Sequence, residues 1–253
     1  MKADLKTPQE IELMVENGTK LSAIMEQLIN FTKVGTKLSE VETLAVKLMS
    51  EAGGKPGFAM VPGYHWATCI NLNEGIVHGI PNDRKIKNGD LVTIDTGMFY
   101  KGFHSDMAKS FLVGNNPYQT DIGKFLTTGK KALELAIIQA KPGNRIGHIS
   151  QTIQQTIESD GYSVSYELTG HGVGRTLHEY PQIPGILTVE IDQTPTIKSG
   201  MTLAIEVIYN MGEPDIITDE SDGWTIRMAD NSLAAVFEKS VGITDKGNVL
   251  ITP

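Results

Sequence analysis

Four carboxylates stand in stretches that otherwise read as apolar strands. Asp95 lies in Leu-Val-Thr-Ile-Asp-Thr-Gly, Glu206 in Thr-Leu-Ala-Ile-Glu-Val-Ile and Glu238 in Ala-Ala-Val-Phe-Glu-Lys-Ser-Val, while Asp106 follows His104-Ser105 at the head of another run. Burying an ionised carboxylate alone is expensive, so each must be paired with a cation or bound to a metal. Salt bridging would need a buried cation for every acid, and the flanking strands carry only Lys109 and Lys239. His171, in Gly170-His-Gly-Val-Gly174, sits among glycines that let the backbone turn tightly and approach a ligand. Taken alone it reads as a structural histidine. Beside four acids it reads as a ligand, because one imidazole with several carboxylates is a hard-leaning donor set suited to a pair of first-row divalent ions. Zinc-finger spacing, His-Glu-x-x-His, Gly-x-Ser-x-Gly, a Walker loop and a Gly-x-Gly-x-x-Gly turn are all absent.

The elements that must position these residues follow from apolar spacing. Ile11, Met14, Val15, Leu21, Ile24, Met25 and Leu28 recur at three and four positions, which predicts a helix from Thr7-Pro8 to about Asn30. Ser39 with Glu42 three residues on reads as a capping box for a second helix stopped by Gly53-Gly54. Asp90–Tyr100 and Phe103–Val113 read as a hairpin, Tyr118–Ala140 and Ile146–Ser159 as helices broken by Lys141-Pro-Gly143. Strand character resumes at Met201–Tyr209, Trp224–Met228 and Leu233–Ile243.

The order of elements repeats. Lys33, Gly35, Leu38, Val41, Ala45, Met49 and Gly53 align at one constant offset with Lys141, Gly143, Ile146, Ile149, Ile153, Ile157 and Gly161. Lys87, Gly89, Leu91, Ile94 and Asp95 align likewise with Lys198, Gly200, Thr202, Ile205 and Glu206, and His78-Gly-Ile-Pro81 parallels His178-Glu-Tyr-Pro181. An internal two-fold is inferred, in which antiparallel strands from both halves form one sheet, helix pairs cover its outer face, and polar residues meet on the axis. The expected architecture is α+β: one catalytic domain over residues 1–253, in halves of about 1–114 and 115–253.

Composition narrows the partners. With 22 Lys+Arg against 30 Asp+Glu the net charge is -8, which argues against a phosphate-tracking surface and against sequence-specific nucleic-acid binding. The single cysteine, Cys69, offers neither disulfide nor thiolate cage, reads as a small buried hydrophobe and favours a reducing compartment. Met1 to Glu16 carries mixed charge without a long apolar run, so neither a signal peptide nor a membrane span is expected, and the cytoplasm is the expected location.

With these motifs in view, the chain resembles type I methionine aminopeptidases of the pita-bread fold over nearly its whole length. The resemblance is carried by Asn73-Glu-Gly-Ile-Val-His-Gly-Ile-Pro81, Asp95 with Asp106, Gly170-His-Gly-Val-Gly-Arg-Thr-Leu-His-Glu-Tyr-Pro181, the Glu206 strand, Asp222-Gly-Trp-Thr225 and the Glu238 strand. It implies that Asp95, Asp106, His171, Glu206 and Glu238 hold two divalent ions (Mn, Co, Fe or Zn), with Asp106 and Glu238 bridging. It implies too that His78 and His178 contact the substrate amide and the scissile carbonyl, and that Glu206 shuttles the proton. Asn73 and Ser232 match a monovalent-cation site, and Trp224, Val61 and Leu177 match substrate-pocket positions.

The implied activity is hydrolytic removal of an N-terminal methionine from peptides and nascent polypeptides by a cytoplasmic monomer, with docking on ribosomes as a further implied association. Val207, Lys239 and Gly97 depart from the family's usual proline, histidine and threonine, and Val61 and Leu177 replace common aromatics. Alternative readings within the fold are an Xaa-Pro or broader aminopeptidase and a binding relative without catalysis.

Overall fold

Helix α1 (Pro8–Phe31) opens as expected. Thr7 Oγ1 accepts the Glu10 N–H at 3.3 Å, the Glu10 carboxylate accepts the Thr7 N–H at 2.8 Å, and Pro8 takes the first turn, where no N–H is needed. Helix α2 (Leu38–Glu51) begins earlier than the Ser39–Glu42 pair suggests. Lys37 precedes its first turn and donates its N–H to Glu40 at 2.8 Å, so Ser39 is already helical and turns its hydroxyl to Asp83 at 2.7 Å. Glu42 is drawn away to the N–H groups of Ala67 and Thr68 at 2.7 and 3.0 Å, which outcompete a cap because they are buried donors needing a partner. The computed structural model describes residues 2–115 and 119–253. Helix α3 (Gln119–Gln139) and helix α4 (Ile146–Ser159) match the expected pair, except that Tyr118 lies outside the described residues.

The strands are β1 (Lys55–Pro56), β2 (Thr68–Leu72), β3 (Gly75–Val77), β4 (Leu91–Tyr100), β5 (Phe103–Leu112), β6 (Ser163–Val164), β7 (Thr169–Gly172), β8 (Glu179–Pro184), β9 (Thr202–Asn210), β10 (Ile216–Thr218), β11 (Ile226–Met228), β12 (Ala234–Thr244) and β13 (Gly247–Leu250). In the first half β4 pairs antiparallel with β5 on one side and with β1 and β2 on the other. In the second half β9 pairs antiparallel with β12 on one side and with β6 and β7 on the other, while β8 and β13 extend the edges. The registers match as well: Asn71 faces Thr93 and Leu72 faces Val92, as His171 faces Ala204 and Gly172 faces Leu203. The connections obey the same repeat, Gly35 N–H to Ile86 O at 2.8 Å answering Gly143 N–H to Ile197 O at 3.2 Å, with Gly35 and Gly143 both left-handed at φ 92° and 87°.

The expected single sheet is broken as a ladder at its middle. Strands β5 and β12 lie side by side, and two serine hydroxyls join them in place of regular backbone pairs. Ser110 Oγ accepts the Val236 N–H and donates to Val236 O, both at 2.9 Å; Ser240 Oγ accepts the Asp106 N–H at 3.0 Å and donates to Asp106 O at 2.8 Å. Outside the sheets two buried layers follow strand alternation. Val92, Ile94 and Met98 pack with α1 and α2, whereas Leu203, Ile205, Val207, Phe237 and Val241 pack with α3 and α4. The remaining face of the same strands is free to carry polar groups. Among the described residues no helix is long and apolar enough to cross a membrane.

Candidate metal centre

Strand order converts distant sequence positions into neighbours. Glu206 on β9 faces Glu238 on β12 directly, and Asp95 on β4 faces Cys69 on β2 and Ala108 on β5. Asp106 faces Gly97, two residues from Asp95, and the serine seam puts Asp106 beside Glu238's strand. His171 faces Ala204, two residues from Glu206. The sequence of strands β7, β9, β12, β5, β4 therefore presents His171, Glu206, Glu238, Asp106 and Asp95 on one face, opposite the helices.

Ligand atoms of Asp106, His171 and Glu238 all fall within 4.8 Å of one another, and His171 Nε2 lies 3.8 Å from Asp106 Oδ2. All five ligand-type residues line one cavity of about 100 Å³. Burial pushes the carboxyls of Asp106, Glu206 and Glu238 well above the usual carboxylate range, and proximity to Asp95 adds to it. Burial raises Asp95 to about 7. The histidine moves the other way: burial, aided by His178, lowers His171 to about 4, so it is neutral at physiological pH. Its Nδ1–H donates to Gly172 O at 2.9 Å, which leaves the Nε2 lone pair aimed at Asp106.

These residues fit a divalent cation. Asp95 Oδ1 and Asp106 Oδ1 are buried without a hydrogen-bond partner, and among the described residues no lysine or arginine forms an ion pair with any of the four carboxylates. Four acidic groups at one point with no protein cation are tolerable only if a cation comes from outside, and oxygen donors with one imidazole suit hard or borderline divalent ions.

Two histidines flank the cluster. His178, in the bend just before β8, places its ring 4.5 Å from that of His171. His78 follows β3 in the left-handed region at φ 57°, an uncommon conformation for a residue with a Cβ, and its ring stands 6.4 Å from Trp224. Burial depresses both, with His178 adding to the effect on His78, so each is suited to serve as a neutral hydrogen-bonding group.

Trp224 is set by the Asp222-Gly-Trp-Thr motif. Asp222 Oδ1 accepts the N–H groups of Trp224 and Thr225, both at 2.8 Å, while Oδ2 accepts the Thr225 hydroxyl at 2.6 Å. Trp224, Val61 and Leu177 all line the cavity, together with Phe58, Tyr64 and Cys69, which the sequence did not single out as site residues. The signal for Cys69 is register, since it faces Asp95; Phe58 opens a single 3-10 turn (Phe58–Met60) and Tyr64 lies in irregular chain, neither with a comparable cue. Cys69 is buried, and burial beside Asp95 pushes its thiol up, in keeping with an inert packing role.

Of the sequence departures, Val207 packs in the helix-side core, and Lys239, adjacent to Glu238 on its strand, points to the opposite face from it. Gly97 is on the site face: a Cβ there would meet Phe58 Cε1 at 2.8 Å and Leu177 Cδ1 at 3.3 Å, so Phe58 occupies the space of a side chain. Asn73, left-handed at φ 55°, accepts the N–H of Ala234, two residues along the chain from Ser232, on its carbonyl at 2.9 Å.

From the cavity a wider groove of about 740 Å³ runs outward past His78, His171, His178 and Glu206, over Gln182 and toward Leu187–Val189. The site thus joins a small cavity, lined by the carboxylates and by apolar side chains, to a wider groove.

Known proteins resemble this chain in sequence and fold. The profile of metallopeptidase family M24 matches residues 12–252. Methionine aminopeptidase 1 of Bacillus subtilis strain 168 is 36% identical over 247 residues, 98% of each chain. The solved methionine aminopeptidase of Thermotoga maritima superposes with a TM-score of 0.94 at 36% identity and 99% coverage of both chains. The prolidase of Pyrococcus furiosus superposes with a TM-score of 0.77 at 26% identity, covering 98% of this chain and 65% of that one.

Proposed function

We propose, for a chain that belongs to metallopeptidase family M24, that it is a methionine aminopeptidase: a metallo-hydrolase that removes the N-terminal methionine from peptides and nascent polypeptides. The observation that carries this reading is the convergence of Asp106, His171 and Glu238 within 4.8 Å, in a cavity that Asp95 and Glu206 also line together with apolar side chains. Residues 1–253 act as one catalytic domain built of the two related halves, about 1–114 and 115–253. Asp95, Asp106, His171, Glu206 and Glu238 would hold two divalent ions, Mn, Co, Fe or Zn. When bound, such ions supply Lewis acidity that polarises a peptide carbonyl and acidifies water.

The chain's own residues do the rest. Glu206, a carboxylate lining the cavity beside His78 and His178, takes the proton of the attacking water and returns it to the leaving amine. His178 donates a hydrogen bond to the scissile carbonyl oxygen as charge develops there, and His78 orients the amide nitrogen and assists its departure. Phe58, Val61, Tyr64, Leu177 and Trp224 enclose the methionine side chain, and the rest of the substrate follows the groove. The small cavity beside the cluster supports removal of a single terminal residue, whose side chain would enter its apolar lining. The corner formed by Asn73 and Ser232 would hold one monovalent cation through main-chain oxygens. The protein works as a cytoplasmic monomer on chains leaving the ribosome.

Turnover of Met-Ala-Ser, Leu-Ala and Xaa-Pro peptides by chelator-treated and metal-restored protein tests the reading. Met-Ala-Ser should be cleaved only after Mn, Co or Fe(II) is returned. Full activity without metal would overturn the metal mechanism, and faster turnover of Leu-Ala or Xaa-Pro would overturn methionine selectivity.

A further inference from the structure

A lysine buried apart from the carboxylate cluster is the least expected charge in the molecule. Lys6 lies in the segment before α1 with its side chain 0% exposed, and its Nζ meets Glu179 Oε2, Asp4 O at 3.0 Å and Asp4 Oδ2 at 3.2 Å. The Glu179 side chain is itself only 10% exposed. Desolvating both charges offsets much of their attraction, so such a pair is a weak source of stability and a better device for fixing one conformation.

What it fixes is the loop that carries His178. Glu179 opens β8 and directly follows His178, so a carboxylate anchored in the protein body fixes the backbone from which the imidazole projects. The other carboxylate oxygen, Oε1, accepts the Thr176 N–H at 3.1 Å, and the Thr176 hydroxyl donates to His178 O at 3.1 Å. The loop also lies directly on the lysine: a Cβ on Gly174 would stand 2.4 Å from both Lys6 Cε and Nζ. Lys6 is in turn anchored by its own N–H to Gly200 O at 2.7 Å, just before β9, and Gly174 O accepts the His104 N–H at 2.7 Å. The path from Gly200 through Lys6 and Glu179 to His178 is continuous, buried at Lys6 and nearly so at Glu179, and exposed only at its end, at Thr176 and His178.

We propose that Lys6 is a positioning residue for His178: its ammonium holds Glu179, and Glu179 sets the loop that aims the imidazole. The proposal rests on the reading of His178 as the group that meets the scissile carbonyl. A displacement of about 1 Å at such a group costs on the order of 10²-fold in rate.

Lys6→Met removes the charge while keeping an aliphatic stem, and the paired variant Lys6→Met/Glu179→Gln leaves no buried charge unpaired, which guards against loss of folding. Both should keep their unfolding transition and metal content. On Met-Ala-Ser both should lose about 10²-fold in kcat with KM little changed. In a His178→Ala background the same substitutions should cost nothing further, because residues acting through one group are non-additive. Independently of activity, the His178 ring resonances in nitrogen-15 histidine NMR should shift in Lys6→Met while those of His65 stay in place. Equal losses in both backgrounds, or an unmoved His178 resonance in folded Lys6→Met, would overturn the proposal. Full activity of His178→Ala with a shifted resonance in Lys6→Met would uphold the clamp and overturn the catalytic reading of His178 instead.

Discussion

In the metal-free protein Asp95→Asn should stabilise at alkaline pH, although the same change removes a metal-ligand candidate. Burial raises the Asp95 carboxyl from 3.8 to about 7, which costs its ionised form about 4 kcal/mol at and above neutral pH. Burial raises the carboxyls of Asp106, Glu206 and Glu238 too, and the Asp95 charge pushes them further, so removing that charge eases them as well. The sign follows from proton binding. A carboxyl raised in the fold holds its proton more tightly than in the unfolded chain, so stability is full below the unfolded value and falls as pH climbs through the folded one.

The histidines act oppositely: His171 and His104 sit at about 4 and His78 and His178 are also lowered, so their contribution is full above about 6.5 and is lost below it. Between about pH 4 and 6.5 the two sets oppose each other. Above that only the carboxyls act, and metal-free stability should decline from pH 6.5 toward 8. Asn at position 95 removes one such group, so the variant should unfold later than the parent at pH 8, by up to on the order of 10 °C, and the gap should shrink toward pH 6.5. Adding Mn should reverse the order. Thermal unfolding of chelator-treated protein across this range measures it. A metal-free parent equally stable at pH 6.5 and 8, or a variant destabilised by the same amount throughout, would refute the account of the cluster as an uncompensated set of acids.

Three further outcomes follow from particular contacts. His78→Ala should retain metal yet lose about 10²- to 10⁴-fold in kcat, the range for acid–base assistance, as steady-state kinetics with metal analysis would show. Ser240→Ala should destabilise by about 1 to 3 kcal/mol in denaturant unfolding, because the N–H and carbonyl of Asp106 lose their shared partner across the seam. Gly97→Thr should lower kcat/KM for Met-Ala peptides by driving Phe58, 2.8 Å from the new Cβ, into the cavity, and Phe58→Ala in the same chain should restore it.

Much of the scaffold was legible because its signals are local. The Thr7–Glu10 cap, the hairpin of β4 and β5, and α4 from Ile146 to Ser159 each depend on residues within a few positions of one another. Strands β2, β3, β7 and β8 were not read because a run of three to six residues is too short to show a period, and β7 is mostly glycine and polar residues. The Ser39–Glu42 cap failed for a different reason: Glu42 answers two N–H groups about 25 residues away that local reading could not see. Phe58 and Tyr64 were missed as pocket residues because nothing in their neighbours distinguishes an aromatic facing a cavity from one in a core.

By itself the sequence determined the chemistry that had to be accommodated. Four carboxylates in apolar strands cannot be buried without a cation, the repeat implied that two of them, Asp95 and Glu206, occupy equivalent places, and His171 among glycines completed a donor set. Only the tertiary structure decided that these groups meet. Their convergence depends on Glu206 facing Glu238, on Ser110 and Ser240 joining β5 to β12 where the backbone ladder stops, and on Lys6 reaching Glu179 across the fold. The physical reason is that strand neighbours are chosen by long-range hydrogen bonding and burial. A residue's type is written at its own position, whereas its distance to a partner more than a hundred residues away is a property of the assembled sheet.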